Sequence, residues 1–365
     1  MLEIDGSQYS GSGAIVRQAV AFAALTGTAI HIYNVRFKRP KPGLRLQHAQ
    51  AVEAIRQLVN GTTEGAVAGA REFIFHPGKP TGSQKFSWDI GSAGSTTALA
   101  LAVLPVLAFS SFPLSIELRG GLFQDFAPSF YHLEHVLLPL LYRMGVEASA
   151  QMERPGYVPT GGGIWRLAVA PTRGTLRQLL LDTPGIVAKV WGIALSSRLK
   201  EQLVSDRMAE SAKRALEAAG YHADVEVIYD TSALQAGAAL AIFADLSSGA
   251  RIGSDRAGAP GRRSETIGTQ VARRLLEDLK TGATLDRYAS DQIIPFAALA
   301  AGESRFHIPG VSKHIESSAW LSREFLGADV RADGHQLVVE GVGFRARATW
   351  IDNGFPFCQT LCACR

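Results

Sequence analysis

His314 is the residue best placed to act as a nucleophile. It lies in Phe306-His307-Ile308-Pro309-Gly310-Val311-Ser312-Lys313-His314-Ile315, just ahead of the apolar-periodic set Ile315, Ala319, Trp320, Leu321 and Phe325. That spacing predicts a helix with one buried face. Ser312 suits the N-cap, which puts His314 in the first turn. The positive end of the helix dipole disfavours imidazolium there and favours the neutral ring. A neutral ring nitrogen has the lone pair that attack on phosphorus requires. The plain alternative is a histidine that only packs or caps.

Two other stretches have the residue types that hold anions. Gly6-Ser7-Gln8-Tyr9-Ser10-Gly11-Ser12-Gly13 precedes an apolar helix, Ala14–Leu25. Backbone N–H groups of such a loop can cradle an anion, although a tight strand-to-helix turn also needs glycine. Arg17, one turn into the helix, faces that anion or solvent. Arg36 to Arg45 holds five basic residues in ten positions, stiffened by Pro40 and Pro42 and followed by Gln47-His48. Arginine is a bidentate phosphate donor and lysine a point charge, so this loop suits phosphate as well as it suits solvent.

The elements that must position these groups come from a 365-residue chain, 47% hydrophobic and 19% charged. That reads as an ordered globular protein of one large or two ordinary domains. A charge of +4 and a pI near 9.0 are compatible with a polyanionic partner. The three cysteines, Cys358, Cys362 and Cys364, exclude a disulfide scaffold and point to a reducing compartment, expected to be cytoplasmic. Residues 351–365 read as a frayed tail rather than a partial metal site, because no histidine stands beside the cysteines. No signal peptide is expected. No membrane span is expected either: Thr96 to Phe109 is short and interrupted by Pro105, which should kink or break its helix.

Along the chain, residues 2–34 read as strand, loop, helix, strand, and a helix follows from Gln47 to Leu58. A second unit starts near Phe73 and repeats the order, with strand Phe86–Ile90, small-residue loop Gly91-Ser92-Ala93-Gly94-Ser95 and helix Thr96–Phe109. Strand Leu114–Leu118 and a helix through Tyr142 come next. Residues 180–281 change character and read as an inserted β-α-β-β-α domain with a flexible basic loop, Gly253 to Arg263. The catalytic core is then 1–179 plus 282–350, closing with helix Phe296–Ala301 and strands Gln336–Val339 and Phe344–Trp350. The expected fold class is α/β (α+β), with repeated units of two helices on one four-stranded sheet.

These motifs, taken in order, resemble the RNA 3′-terminal phosphate cyclases. The matching stretches are Asp5-Gly6-Ser7-Gln8 with Gly11-Ser12-Gly13 and Arg17; Arg36 to His48; Ile90 to Ser95; Gly156-Tyr157 with Pro159 and Gly161-Gly162-Gly163; Gly253 to Glu265; Tyr288 with Asp291-Gln292; and His314. The resemblance implies three repeated α/β units plus an insert. It implies ATP and a divalent metal, Mg2+ or Mn2+, and an RNA with a 3′-phosphate end as partner. It makes His314 the residue that carries AMP, with Asp291 orienting its ring or the AMP. Tyr288 and Pro128 would flank adenine and Gln292 would contact the nucleotide. Arg17, Arg36, Arg39, Gln47 and His48 would bind the RNA terminal phosphates. Two positions depart from the bacterial pattern: Ser10 replaces a metal-binding glutamate, and Leu101 a glutamine. Those departures keep a non-catalytic RNA-binding relative of the cyclases, one of ribosome biogenesis, as the alternative. A third reading, an enolpyruvyl transferase, leaves His314 and the Tyr288-Asp291-Gln292 set without a role.

Overall fold

The computed structural model describes residues 1–79 and 85–345, which fold as a mixed α/β protein with four four-stranded sheets. The first holds β1 (Leu2–Asp5), β2 (Ile30–Tyr33), β3 (Thr62–Glu64) and β4 (Phe73–His76), with α1 (Gly13–Thr26) joining β1 to β2 and α2 (Leu46–Leu58) after β2. The second holds β5 (Phe86–Asp89), β6 (Leu114–Gly120), β7 (Ala148–Arg154) and β8 (Gly163–Val169). Helix α3 (Thr96–Ala108) joins β5 to β6. Then α4 (Phe130–His132) runs through a π-helical turn, Leu133–Leu137, into α5 (Leu138–Met144).

A third sheet begins with β9 (Leu180–Leu181), and the chain then builds a fourth before finishing it. The fourth holds β10 (Val187–Ser197), β11 (Ala223–Asp230), β12 (Gly237–Leu246) and β13 (Arg251–Ala257), covered by α6 (Val204–Glu217) and α7 (Ser264–Lys280). The return passes through the short helices α8 (Ala289–Gln292) and α9 (Ile294–Leu299). The third sheet is completed by β14 (Ala301–His307), α10 (Lys313–Leu326), β15 (Asp329–Asp333) and β16 (Gln336–Val342).

Three sheets share one plan. Their orders are β1-β2-β4-β3, β5-β6-β8-β7 and β9-β14-β16-β15, and in each the first two strands are parallel and the rest antiparallel. A parallel pair needs a crossover, which α1 and α3 supply in the first two sheets. In the third, the fourth-sheet segment lies within the crossover. The fourth sheet has a different order, β11-β10-β12-β13. Strand β6 alternates buried and exposed residues, as a sheet covered on one face must. Strand β12 is buried almost throughout, because Tyr157 packs on Gly237 and His135 on Phe243 from the second unit. One continuous core runs through all four sheets.

The structure corrects several sequence expectations. Phe73–His76 pairs with β2 and belongs to the first sheet, so the second unit starts at Phe86. Leu180–Leu181 pair with β14 rather than with the fourth sheet. Pro105 neither ends nor breaks α3, which continues to Ala108 with nearly every side chain buried. Gly253–Ala257 is not loop but strand β13, hydrogen-bonded to β12, so the segment reads β-α-β-β-β-α. Ala301 opens β14, the expected strand Gln336–Val339 lies within β16, β15 pairs with it from the other side, and Phe344 and Arg345 of the expected Phe344–Trp350 are in no strand. Residues 346–350 of that expected strand, and the cysteine tail, lie outside the described residues.

Candidate active site

Four helix N-termini are tied together at one place. Ser12 Oγ accepts from Ala14 N at the start of α1, Ser95 Oγ from Ala98 N in α3, and Ser312 Oγ from Ile315 N in α10. Ser10, in the loop before α1, donates its N–H to Ser317 Oγ of α10 at 3.2 Å, and the two hydroxyls are 2.8 Å apart. Gln47 in the first turn of α2 accepts from Ser95 N at 2.9 Å, fixing α2 to the α3 cap. His48 lies directly over Gly13, where a Cβ would fall 2.0 Å from its Nε2, so only glycine lets the first turns of α1 and α2 approach this closely. Each helix start has about half a positive charge, from N–H groups with no intrahelical partner. The first turns of α1, α2 and α3 have no acidic residue, and Glu316 of α10 is paired with Lys313. The converging field is therefore left for an anion.

Side chains strengthen that field. Half-buried Arg17 acts on His314, His48 and Asp291 at once. Burial pulls its own pKa down to about 10, against the opposing charge of Asp291. Burial, then Arg17 and Arg39, holds His314 below the ordinary histidine range, and the ring makes no hydrogen bond among the described residues. It is thus neutral, half-buried and unengaged. Burial, with Arg17, Arg36, Arg45 and Arg39 around it, lowers His48 to about 2. Its Nδ1 accepts from Arg45 N, so the neutral His48 ring carries its proton on Nε2. Burial raises Asp291 to about 7, with Arg17 opposing. Arg36 is only half-buried and turns its Nη1 to Lys41 O and Gly43 O at 2.8 Å, holding the basic loop in shape. Lys38 packs over Gly11 and donates to Tyr9 O, and Arg39 is exposed.

A second group of residues lies beside α8. Tyr288 is held by its N–H to Asp286 Oδ1 at 2.9 Å and by edge contact with His132, ring centroids 5.7 Å apart. Asp286 is fully buried and also accepts from His132 Nε2, Gly253 N and Ala289 N. Burial alone would raise its pKa, but His132 and these N–H donors bring it below the usual carboxylate range. Asp286 thus satisfies the N–H groups at the start of α8. Pro128 is fixed by Thr97 Oγ1, which donates to its carbonyl at 2.6 Å, and by Ser129 N, which donates to Asp255. Gln292 Oε1 is buried with no hydrogen-bond donor among the described residues.

The match to known proteins bears on this arrangement. The family model for RNA 3′-terminal phosphate cyclase matches residues 8–332. The chain belongs to the RNA 3′-terminal phosphate cyclase family. A protein of that name from Methanopyrus kandleri is 36% identical over 92% of this chain and 96% of its own length. One from Methanothermobacter thermautotrophicus is 36% identical over 92% and 97%. One from Hyperthermus butylicus is 38% identical over 83% and 86%. Among solved structures, the enolpyruvyl transferase NikO from Streptomyces tendae superposes with a TM-score of 0.40 at 12% identity, over 94% of this chain and 49% of that chain.

Of the residues singled out from the cyclase resemblance, the structure gathers His314, Arg17, Asp291, His48, Gln47 and Arg39 around the helix starts. Tyr288 and Gln292 stand at the two ends of α8, and Pro128 on the loop before α4. No hydrogen bond joins Asp291 to His314 among the described residues; the two are related through Arg17. Ser10 points at Ser317 and Ser12. Leu101 packs half-buried against the core. Sequence reasoning missed Ser317, the Gln18–Ser318 hydrogen bond at 2.9 Å and the Asp286–His132 pair. An aspartate two residues before Tyr288 at a helix start was the available signal for Asp286. Nothing in the sequence marks Ser317, whose partner is 307 residues away.

Proposed function

We propose that the chain is an ATP-dependent RNA 3′-terminal phosphate cyclase, working through a histidine–AMP intermediate. The observation that carries this reading is His314: a neutral, unengaged imidazole at the meeting point of four helix N-termini, with Arg17 and Arg39 in its field. His314 forms an N–P bond to the α-phosphorus of ATP, and pyrophosphate leaves with the P–O electron pair. The RNA 3′-phosphate oxygen then takes the AMP, releasing the histidine. The vicinal 2′-hydroxyl attacks the 3′-phosphorus, loses its proton and expels AMP, closing the 2′,3′-cyclic phosphate.

Fixed positive ends favour each phosphoryl transfer because they need not reorganise as charge develops. Arg17 and Arg39 supply the nearest guanidinium charge, and with Arg36, Gln47 and His48 they form the seat for the RNA terminal phosphates. The Tyr288 ring and Pro128 take the adenine, and the orphaned Gln292 Oε1 offers an acceptor for its amino group. Among the described residues no histidine, cysteine or carboxylate cluster can hold a metal ion, and Ser10 is engaged by Ser317. The residues present do not fit a protein-held ion. The divalent cation implied by the resemblance would be held by nucleotide phosphates and water.

The test is incubation with α-labelled ATP and Mg2+ or Mn2+, denaturing electrophoresis, and acid and base treatment of the band. Label retained through denaturation, lost in acid, stable in base and absent from His314→Ala supports the proposal. No label on a folded protein that still binds RNA would favour the non-catalytic reading, which Ser10 and Leu101 favour.

A further inference from the structure

Phe126 is exposed over its whole surface, and its backbone lies in the left-handed region at φ 66°. A bulky residue in that conformation is strained, and the ring gains no packing in return. The surrounding loop, residues 121–129, is nevertheless pinned along its length. Gly121 bonds to Gly94 and Thr96 at the α3 start, and Ser129 N to Asp255. Next to the ring, Asp125 is clamped by both terminal nitrogens of Arg262, at 3.0 and 2.6 Å. The tip is therefore a rigid mount for an aromatic face turned to solvent.

The charge around the mount is unbalanced. Three guanidiniums, those of Arg262, Arg256 and Arg274, act on the single carboxylate of Asp125. Arg262 takes both of its oxygens. Arg256 has no side-chain hydrogen bond or ion pair among the described residues, and its Nε is buried without a partner. Arg274 makes one long hydrogen bond, to the Tyr288 hydroxyl at 3.4 Å. Two guanidinium charges beside one another, both short of anions, favour a bound phosphate. Continuity with the helix-start site is direct, because the Gly121 end of the loop is bonded to the α3 cap that Gln47 holds through Ser95 N.

We propose that the Phe126 tip with Arg256 and Arg274 is the seat for single-stranded RNA upstream of its 3′ end, one base stacked on Phe126 and backbone phosphates on the two arginines. This rests on the cyclase reading and extends it from the terminal phosphate to the chain that leads to it. Stacking on an aromatic face is sequence-tolerant, so the seat accepts any base, and its phosphate contacts are salt-dependent. The seat reads the length of the RNA, not its sequence.

The test compares Phe126→Ala, Phe126→Trp and Arg256→Gln with the unaltered protein. Three readouts are used: self-adenylylation across an ATP titration, binding of a 3′-phosphorylated decamer, and binding of a 3′-phosphorylated dinucleotide. Phe126→Ala should weaken decamer binding by about tenfold, with Phe126→Trp restoring it. Arg256→Gln should also weaken the decamer and flatten its salt dependence by about 0.7 in logarithmic slope, one phosphate contact on a single strand. Dinucleotide binding and the ATP requirement for adenylylation should not move. A raised ATP requirement in Arg256→Gln would place the nucleotide's phosphates there and overturn the RNA seat. Equal losses for decamer and dinucleotide, or none for either, would overturn it too. If the unaltered protein binds the decamer without adenylylating, the cyclase reading fails while the seat survives.

Discussion

Ser10 of the glycine loop and Ser317 of α10 hold each other across 307 residues, through Ser10 N to Ser317 Oγ at 3.2 Å and the paired hydroxyls at 2.8 Å. Ser317 lies one turn beyond His314 on the same helix. The loop that precedes Arg17 is therefore set against the helix that presents the histidine, and a serine does this where the bacterial pattern has a glutamate.

Ser10→Ala should lower unfolding free energy by about 0.5–1.5 kcal/mol, the net worth of one hydrogen bond, and Ser317→Ala by more, because it also removes the acceptor of Ser10 N. The double variant should lose little more than Ser317→Ala alone, because that change already removes both contacts, whereas Ser10→Ala removes only the hydroxyl pair. Denaturant midpoints of the four proteins give the cycle; strictly additive losses would mean that the pair is not coupled.

His314 should ionise below the ordinary histidine range, since burial, Arg17 and Arg39 all disfavour its charged form. Adenylylation should stay level as pH falls through about 6.5, the unperturbed value, and decline only in more acid solution. Arg17→Gln should move the His314 ring titration, followed by NMR, upward. A His314 midpoint at or above 6.5 in the unaltered protein would contradict the geometry.

His48 makes the fold acid-sensitive. Its folded pKa is lowered to about 2, so below about 6.5 the unfolded chain binds a proton that the folded chain refuses. Stability therefore falls as pH drops through that window, by about 1.4 kcal/mol per unit once well below 6.5. His48→Gln keeps an acceptor for Arg45 N and removes the ionisation. Between pH 7 and 5 it should lose about 1–2 kcal/mol less than the unaltered protein by urea unfolding. Parallel losses would show that His48 protonates inside the fold.

Arg39 is exposed, on the basic loop. Arg39→Ala should weaken cyclisation by about 1.5–3 kcal/mol, one charge-assisted hydrogen bond to phosphate, while leaving self-adenylylation largely intact. Single-turnover assays of the two steps separate them. Equal falls in both would assign the loop to the nucleotide.

The sequence by itself determined the local pieces. Ser12 and Ser312 as caps, Gly27 and Gly327 as left-handed stops, and the apolar stripe from Ile315 to Phe325 are written in short-range patterns, and α1 and α10 form where those patterns place them. The ordered motifs also carried the family. What only the tertiary structure decided is how those pieces meet. Residues 253–257 carry glycine, serine and charge and read as loop, yet β12 recruits them as a strand because an antiparallel neighbour satisfies their backbone groups. Pro105 stays inside α3 because the helix is buried on all sides and packing outweighs the lost hydrogen bond. Asp286 looks like a simple cap until His132, 154 residues earlier, is found buried against it. The field at His314 exists because four helix starts from distant parts of the chain converge. Electrostatic strength depends on distance and burial, and neither is a property of local sequence.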